Sequence, residues 1–517
     1  MSNEKKQEGE LKPTLGLFDA TAISVGAIIG AGIFVVTGIA AGYAGSALMV
    51  SMIIATIIAM FTALSFAELT AWMPKEGSVY EYTHELISPF AGFLTGWMWV
   101  VSNTFTGAAV SLGFAYYLIA LFPGLEAKWI AAFLCIFFTV LNFFGVRQSA
   151  IVNNILVMAK LFILAFFCIF GAFHLNPLNF TSFNPFQTGV FYGASYIFFA
   201  YGGFARVAVI AEEVKDAKRT VPRAMLLSLV ISTVFYILVG AVAIGLVGER
   251  SLAESNSPLK EAISITENPA AEYLVSLGGL LATASVLLTS ILGVSRMAYA
   301  MARREDLPQA LSKLHKKYAT PYYSIWIIGA LMTLLVLSID LTSVVAISTF
   351  ALLFYYALAN LSALRLKIKD RKYPKAIPAI GIFTCSALLV FIIFISPQAW
   401  IMGTTSLLIG AIYYAAKQKF ANGENLNVGF AANHIWFSCW NNSFPNRHRR
   451  RRLHSSHTNN PLQFCSSQRR RNKPNLNNLH SRSINNKLCK TKENILQNRL
   501  DFGSNNSPRS FLRRPSY

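Results

Sequence analysis

Three glycines, Gly26, Gly30 and Gly32, fall within seven residues of an apolar run from 17 to 42. About 20 apolar residues suffice to cross a bilayer, and a helix that only spans lipid gains nothing from glycines that each cost about 1 kcal/mol relative to alanine. The pattern predicts a spanning helix that breaks near the membrane centre, where freed N–H and C=O groups must face protein, water or a ligand. Half-helix N-termini bind anionic groups, and unwound carbonyls bind cations. The alternative is close helix packing, since small residues also let helices approach each other.

The composition is that of a membrane protein with many spans. The chain has 517 residues, of which 54% are hydrophobic and 13% charged, and its mean hydropathy is +0.46. No phosphate-binding loop of the form GxxxxGK[ST] occurs, which excludes a typical ATP-driven pump. No Ser/His/Asp constellation indicates an enzyme, and the six scattered cysteines predict neither a metal site nor a disulfide framework. No cofactor is expected.

Hydropathy predicts an all-α integral membrane protein with about twelve spanning segments. The segments are 17–42, 46–72, 90–122, 127–145, 151–174, 188–211, 224–248, 270–302, 323–341, 343–364, 377–396 and 399–416. Basic residues cluster before the first segment and in every even-numbered connection, whereas the other loops offer only Lys128, Arg250 and Lys260. Because basic loops stay cytoplasmic, both termini are expected in the cytoplasm.

The sixth segment carries a second interruption, the pair Gly202–Gly203 within Phe198–Phe204. Two broken helices five segments apart have opposite directions in the membrane. That arrangement predicts an inverted repeat of five helices, with both breaks meeting near the midplane.

The predicted organisation has three parts. Residues 1–16 form a cytoplasmic N-terminal tail, and residues 17–416 form the transmembrane domain. Residues 417–517 are rich in Asn, Arg and Ser and contain the runs Arg449–Arg452 and Arg469–Arg471. This composition is typical of a disordered tail or of translation out of frame, and no function or nucleic-acid partner is assigned to it.

Several motifs, in this order and spacing, resemble the amino acid–polyamine–organocation superfamily, and within it the amino acid permeases. The resemblance covers residues 15 to about 416 and implies a LeuT-like fold, a 5+5 inverted repeat with broken first and sixth helices and two further helices. The motifs are Gly26–Phe34, Ala67–Leu69 with Pro74–Tyr80, Asn142–Val146, Phe198–Phe204 with Ala211–Lys215 and Val221–Ala224, and Ser295–Arg303.

A broken helix suits both charges of an amino acid. The N–H groups of Ala31, Gly32 and Ile33 at the helix restart lack intrahelical partners and carry the positive end of the dipole, which suits a carboxylate. The carbonyl of Ile28 suits the α-ammonium group. By resemblance, the carbonyls of Phe199 and Gly202 complete the ammonium site, and the Phe199 ring closes over the substrate. The alternative for Phe199 is an ordinary core or lipid-facing side chain.

The charged residues after this break depart from the family pattern. Many relatives have an acidic residue after Gly-Phe, whereas this chain has Ala205 and then Arg206, which disfavours a cationic substrate. Arg206 is a candidate gate or specificity residue, or a structural group paired with a helix C-terminus or with Glu68. Glu212 and Glu213 are expected in an ion-pair cluster at the cytoplasmic end, as a candidate inner gate.

Lys160 is the candidate for proton coupling. It lies about 13 Å along the fifth segment, near the middle of a hydrocarbon core about 30 Å thick, so it should face the bundle interior. By resemblance, its ammonium takes the place of the sodium ion of related transporters between the first and eighth helices. The expected contacts are first-helix carbonyls near Ala22 or Ile23, and burial would favour proton release in each cycle. The alternative is a permanently charged structural lysine.

The sequence thus predicts secondary active uptake of amino acids across the cytoplasmic membrane by proton symport. The alternatives are an amino acid or polyamine exchanger and a transport-dead amino acid sensor. The expected partners are the amino acid, protons and the lipid bilayer, whereas the oligomeric state is undetermined.

Overall fold

The computed structural model describes residues 13–75, 77–144, 150–318, 320–367 and 371–422. The first twelve residues of the predicted N-terminal tail and positions 423–517 of the predicted C-terminal tail lie outside the described residues. The described residues form α-helices and short helical turns, and their only bridge between extended segments joins Leu15 to Val214.

Sixteen α-helices are present in the described parts of the chain. They are α1 (Leu17–Ile28), α2 (Thr37–Ala44), α3 (Leu48–Trp72), α4 (Val79–Leu86), α5 (Pro89–Leu121), α6 (Ala127–Phe143), α7 (Ala150–Ala172), α8 (Thr188–Ala200), α9 (Arg206–Val209), α10 (Ala217–Glu254), α11 (Pro258–Ser264), α12 (Pro269–Arg303), α13 (Tyr322–Ser338), α14 (Leu341–Arg365), α15 (Ala376–Ile395) and α16 (Pro397–Asn422).

Eight stretches of the described chain are long and apolar enough to cross a membrane, and α6 and α13 are shorter apolar helices. One of the eight, Leu17–Trp72, has 56 residues, which is roughly 84 Å of helix and far more than one crossing needs. It divides into two passes at Gly45, whose φ of +58° suits glycine. Each of the twelve predicted segments coincides with a helix or a broken pair of helices, so the predicted all-α membrane fold is confirmed.

Both predicted breaks are present. After α1, Ile29 is extended (φ −79°, ψ 94°), and the chain resumes as a π-helical turn, Gly32–Val36, that leads into α2. In the sixth segment, α8 ends at Ala200 and a 3₁₀ turn, Tyr201–Gly203, leads toward α9. The glycines therefore mark interruptions of the helix, as predicted.

Close packing, the alternative for the glycines, also applies. A Cβ atom on Gly203 would lie 2.3 Å from the backbone carbon of Ala27, and one on Gly32 would lie 2.4 Å from the Cβ of Ala200. The two broken helices therefore approach each other so closely that only glycine fits at these crossings.

The outer surface of the bundle is apolar. Large side chains such as Trp129, Phe133, Phe162 and Phe383 are at least two-thirds exposed, although they belong to helices that span the membrane. In a soluble protein such a belt would be unfavourable, whereas in a bilayer it faces the acyl chains. The interior instead holds polar and charged groups, among them Lys160.

Candidate functional site

A small cavity lies between the two broken helices. Five of the six predicted substrate-binding residues line it, namely Ile28, Ala31, Gly32, Phe199 and Gly202. The sixth, Ile33, is buried within the π-helical turn and is not in the cavity wall. The cavity has about 30 Å³ of free volume, enough for water and too little for an amino acid. The site is therefore closed in this conformation and must widen to admit a substrate.

Two tyrosine hydroxyl groups form hydrogen bonds with carbonyls that we predicted to bind the α-ammonium group. The Tyr236 hydroxyl lies 2.8 Å from the carbonyl oxygen of Ile28 and 3.3 Å from that of Ala200, so it joins the two broken helices. The Tyr356 hydroxyl donates to the carbonyl of Gly202 at 3.2 Å. A carbonyl oxygen has two lone pairs, so each can accept a second donor. Sequence reasoning missed both tyrosines, because they lie on α10 and α14 in no recognisable motif.

The rest of the wall adds polar groups from α5 and α14 to the predicted set. The polar lining residues are Ser102, Asn103, Thr106, Arg206, Ser348 and Tyr355. Ser102 and Ser348 each donate to the other's backbone carbonyl, at 3.0 and 2.9 Å, and Thr106 joins Ser348 at 2.9 Å. Hydroxyl groups one turn apart in an apolar segment, at Ser102 and Thr106, were the available sequence signal.

Phe199 is 7% exposed and forms part of the cavity wall. It therefore faces the interior of the bundle, so this ring does not face the lipid; the ordinary core side chain remains as the alternative. Its closing movement over a substrate stays a prediction.

Lys160 is 1% exposed. Its ammonium donates to the carbonyl oxygens of Gly26 and Ile29, both at 3.3 Å, and contacts the Ser285 hydroxyl of α12. These contacts replace the expected carbonyls of Ala22 and Ile23. The physical reason is the break, because the last carbonyls of a helix lack intrahelical N–H partners, whereas those one turn earlier are already bonded.

Arg206 contacts α12 and not Glu68. Its Nη1 and Nη2 atoms donate to the hydroxyl groups of Thr289 and Ser290 on α12, at 3.0 and 2.9 Å. Glu68 instead pairs with Arg371 at 2.8 Å, so the Arg206–Glu68 pair, one of the alternatives for this arginine, is wrong. Among the described residues, the hydrogen bonds of Arg206 go to these two hydroxyl groups and to no carbonyl at a helix C-terminus, which was the other alternative.

Glu213 takes part in an ion pair, but not with the neighbouring basic residues. Its carboxylate lies 3.7 Å from the Arg296 guanidinium of α12. Its backbone carbonyl accepts the N–H groups of Thr14 and Leu15 at 2.9 and 3.0 Å. Glu212 is exposed in the same short turn. The cluster therefore joins the start of the chain, the end of the sixth segment and α12.

A larger cavity, of about 360 Å³ of free volume, adjoins the first one. Ala27, Asn103 and Arg206 line both cavities. The larger cavity extends past Ser285 and Thr289 to Glu213 and Arg296, and its wall includes Thr14. The larger cavity therefore extends from the closed site toward the face of the bundle where the first helix begins.

A helical bundle with two interrupted helices around a buried polar cavity is the architecture of a secondary transporter. Residues 15–416 match the family described as "Amino acid permease", and the chain belongs to this family. It is therefore a multi-pass membrane transporter and not an enzyme, and the family implies a small-molecule amino acid substrate.

Three relatives illustrate the similarity. An uncharacterized transporter of Mycobacterium bovis is 33% identical over 412 residues, 79% of this chain and 92% of the relative. A branched-chain amino acid permease of Bacillus subtilis is 30% identical over 79% of this chain and 93% of the relative. A methylthioribose transporter of the same organism is 28% identical over 78% of this chain and 93% of the relative.

Proposed function

We propose that this protein takes up amino acids across the cytoplasmic membrane by proton symport, with both termini in the cytoplasm. The observation that carries the proposal is the buried Lys160 ammonium on the carbonyls freed by the first break. The similarity to the branched-chain amino acid permease of Bacillus subtilis supports an amino acid as the substrate.

The substrate's two charges would bind the two sides of the break. Its α-carboxylate would bind the free N–H groups at Ala31, Gly32 and Ile33, since a helix start favours an anion. Its α-ammonium would bind the carbonyls of Ile28 and Gly202, beside the hydroxyl groups of Tyr236 and Tyr356. The α-ammonium would thereby link the first broken helix to the second.

Lys160 would couple this binding to a proton. Within the part of the chain that the structure describes, no carboxylate lies within 4.0 Å of its ammonium. Its charge is stabilised by carbonyl and hydroxyl dipoles alone. Loss of the proton would remove the charge that holds Gly26 and Ile29 against α7 and α12. The first helix would then be free to move, as alternating access requires.

The test is uptake by purified protein in sodium-free proteoliposomes with an imposed pH gradient. Radiolabelled amino acids should accumulate when the outside is acidic. Lys160→Ala should abolish this accumulation, because no group remains to carry the proton. The matched control is Lys128→Ala, an exposed lysine at the start of α6, which should accumulate substrate like the parent.

Four outcomes would contradict the proposal. Uptake that strictly requires sodium, or accumulation by Lys160→Ala, would exclude the lysine mechanism. Uptake that needs amino acid inside the vesicles and ignores the pH gradient would indicate an exchanger. Binding without uptake or exchange would indicate a sensor.

A further inference from the structure

We propose that Arg206 binds the side-chain carboxylate of the substrate, so that acidic amino acids are the preferred substrates. The inference rests on the proposed function, because it takes the cavity between the broken helices as the substrate site. It adds the substrate class, which the chain's relatives leave open.

Arg206 is held so that part of its guanidinium stays available to a ligand. A guanidinium has five N–H donors in a planar fork. Thr289 and Ser290 accept one bond each, which leaves three donors. The residue lines both the closed cavity and the larger one beside it. A planar fork with free donors on a cavity wall suits bidentate binding of a carboxylate.

The charge balance of this region calls for an anion. Among the described residues, no carboxylate lies within 4.0 Å of Arg206, and the nearby acid Glu213 is paired with Arg296. The wall of the closed cavity contains no Asp or Glu. A charge inside the membrane is costly unless it is paired. A substrate that brings its own negative group would offset that cost.

A second cation, the buried Lys160, lies on the same face of α12. Lys160 contacts the Ser285 hydroxyl, and the Thr289 hydroxyl, one turn further on, donates to the Ser285 carbonyl at 3.1 Å. Arg206 in turn donates to Thr289. The two cations are therefore connected through Ser285 and Thr289, without an acidic residue between them. This excess positive charge opposes cationic substrates and favours anionic ones.

The side-chain carboxylate is the better assignment than the α-carboxylate. The N–H groups at Ala31 to Ile33 already offer the first helix's anion site, and Arg206 belongs to the other broken helix, beyond its own break. A substrate with one anionic group satisfies only one of these two sites. Aspartate and glutamate satisfy both, because they carry a second carboxylate a few bonds away.

The experiment is equilibrium binding to the purified full chain in detergent, with L-glutamate, L-glutamine and L-leucine as probes. The parent should bind glutamate more tightly than glutamine. Arg206→Gln should weaken glutamate binding about 30-fold, the loss expected for a charge-assisted pair worth about 2 kcal/mol. It should leave glutamine and leucine nearly unchanged. Arg250→Gln, which removes an exposed arginine, is the control and should bind all three like the parent.

Further probes separate the two carboxylates. The γ-methyl ester of glutamate lacks the side-chain anion, so it should bind weakly and be insensitive to Arg206→Gln. If Arg206→Gln instead weakens all three amino acids equally, the guanidinium binds the α-carboxylate and the proposal is overturned. Tighter binding of leucine than of glutamate by the parent would overturn it as well.

A second variant keeps the test valid if Arg206→Gln does not fold. Arg206→Lys retains the charge and loses the fork, so it should weaken glutamate about 5-fold or more and spare leucine. Unchanged glutamate binding in a folded Arg206→Lys protein would contradict the bidentate site. Binding in detergent needs no proton gradient. If glutamate is bound selectively but is not taken up on a proton gradient, the result would count against the proposed symport and not against the Arg206 site.

Discussion

At the scale of single residues, Gly203 decides whether the two broken helices can meet. An added Cβ would lie 2.3 to 2.5 Å from the backbone of Ala27 and Ile28, and backbone cannot rotate away as a side chain can. The carbonyl of Ile28 and the N–H groups beyond it belong to this crossing. The absence of a side chain at one position therefore sets the geometry of the candidate substrate site.

We expect Gly203→Ala to lower the melting temperature of the detergent-purified protein and to abolish amino acid binding, because the sixth segment must move away from α1. The matched control is Gly293→Ala within α12, where the nearest atom, on Trp99, is 3.4 Å away. Alanine in a helix is favoured by up to about 1 kcal/mol, so this control should be as stable as the parent or slightly more so. Equal stability and binding of both variants would show that the crossing tolerates a methyl group.

At the scale of elements, buried ion pairs fix how helices meet at the ends of the bundle. Glu68 on α3 is 2% exposed and pairs with Arg371 at 2.8 Å, just before α15. Arg371 also donates to the carbonyl of Ala363 on α14 at 2.7 Å. One guanidinium thus joins α14 to α3, which the sequence places about 300 residues apart.

We expect Glu68→Gln to destabilise the protein by about 3 kcal/mol, because it leaves the Arg371 guanidinium buried without its anion. Glu254→Gln is the control, since it breaks an exposed pair with Arg250 whose side chains are 92% and 75% exposed. Such pairs contribute about 0–1 kcal/mol. The measurement is thermal unfolding in detergent with each variant beside the parent. A Glu68→Gln protein as stable as the control would show that the buried pair adds nothing.

At the scale of the whole molecule, the number of membrane crossings determines whether α1 begins and α16 ends on the same side of the membrane. Because twelve is an even number, they lie on the same side. The larger cavity reaches that same side, since Thr14 is part of its wall. If the termini are cytoplasmic, as the basic connections predict, the described conformation is closed at the candidate substrate site and has its larger cavity on the cytoplasmic side.

We expect a cysteine at position 128 to react with an impermeant thiol reagent on intact cells and one at position 372 not to react. Lys128 and Lys372 are both exposed, so membrane sidedness and not burial should decide the result. The background should lack the six native cysteines. After the cells are permeabilised, position 372 should react as well. Labelling of 372 on intact cells would overturn the orientation.

The sequence by itself determined the class of fold, the positions of the spanning segments and the two breaks. These features depend on local properties, namely hydropathy over about 20 residues and the low helix propensity of glycine. The buried position of Lys160 followed for the same reason, because the middle of a spanning segment allows a lysine no route to water.

The tertiary structure alone decided which groups these residues contact. Lys160 donates to the carbonyls of Gly26 and Ile29. Arg206 donates to α12 and not to Glu68. The hydroxyl groups of Tyr236 and Tyr356 donate to carbonyls at the two breaks. Such contacts join residues tens to hundreds of positions apart in the chain. They depend on the rotation and depth of each packed helix, and periodicity in a nearly uniform apolar segment does not specify either one, because every face of such a helix is hydrophobic.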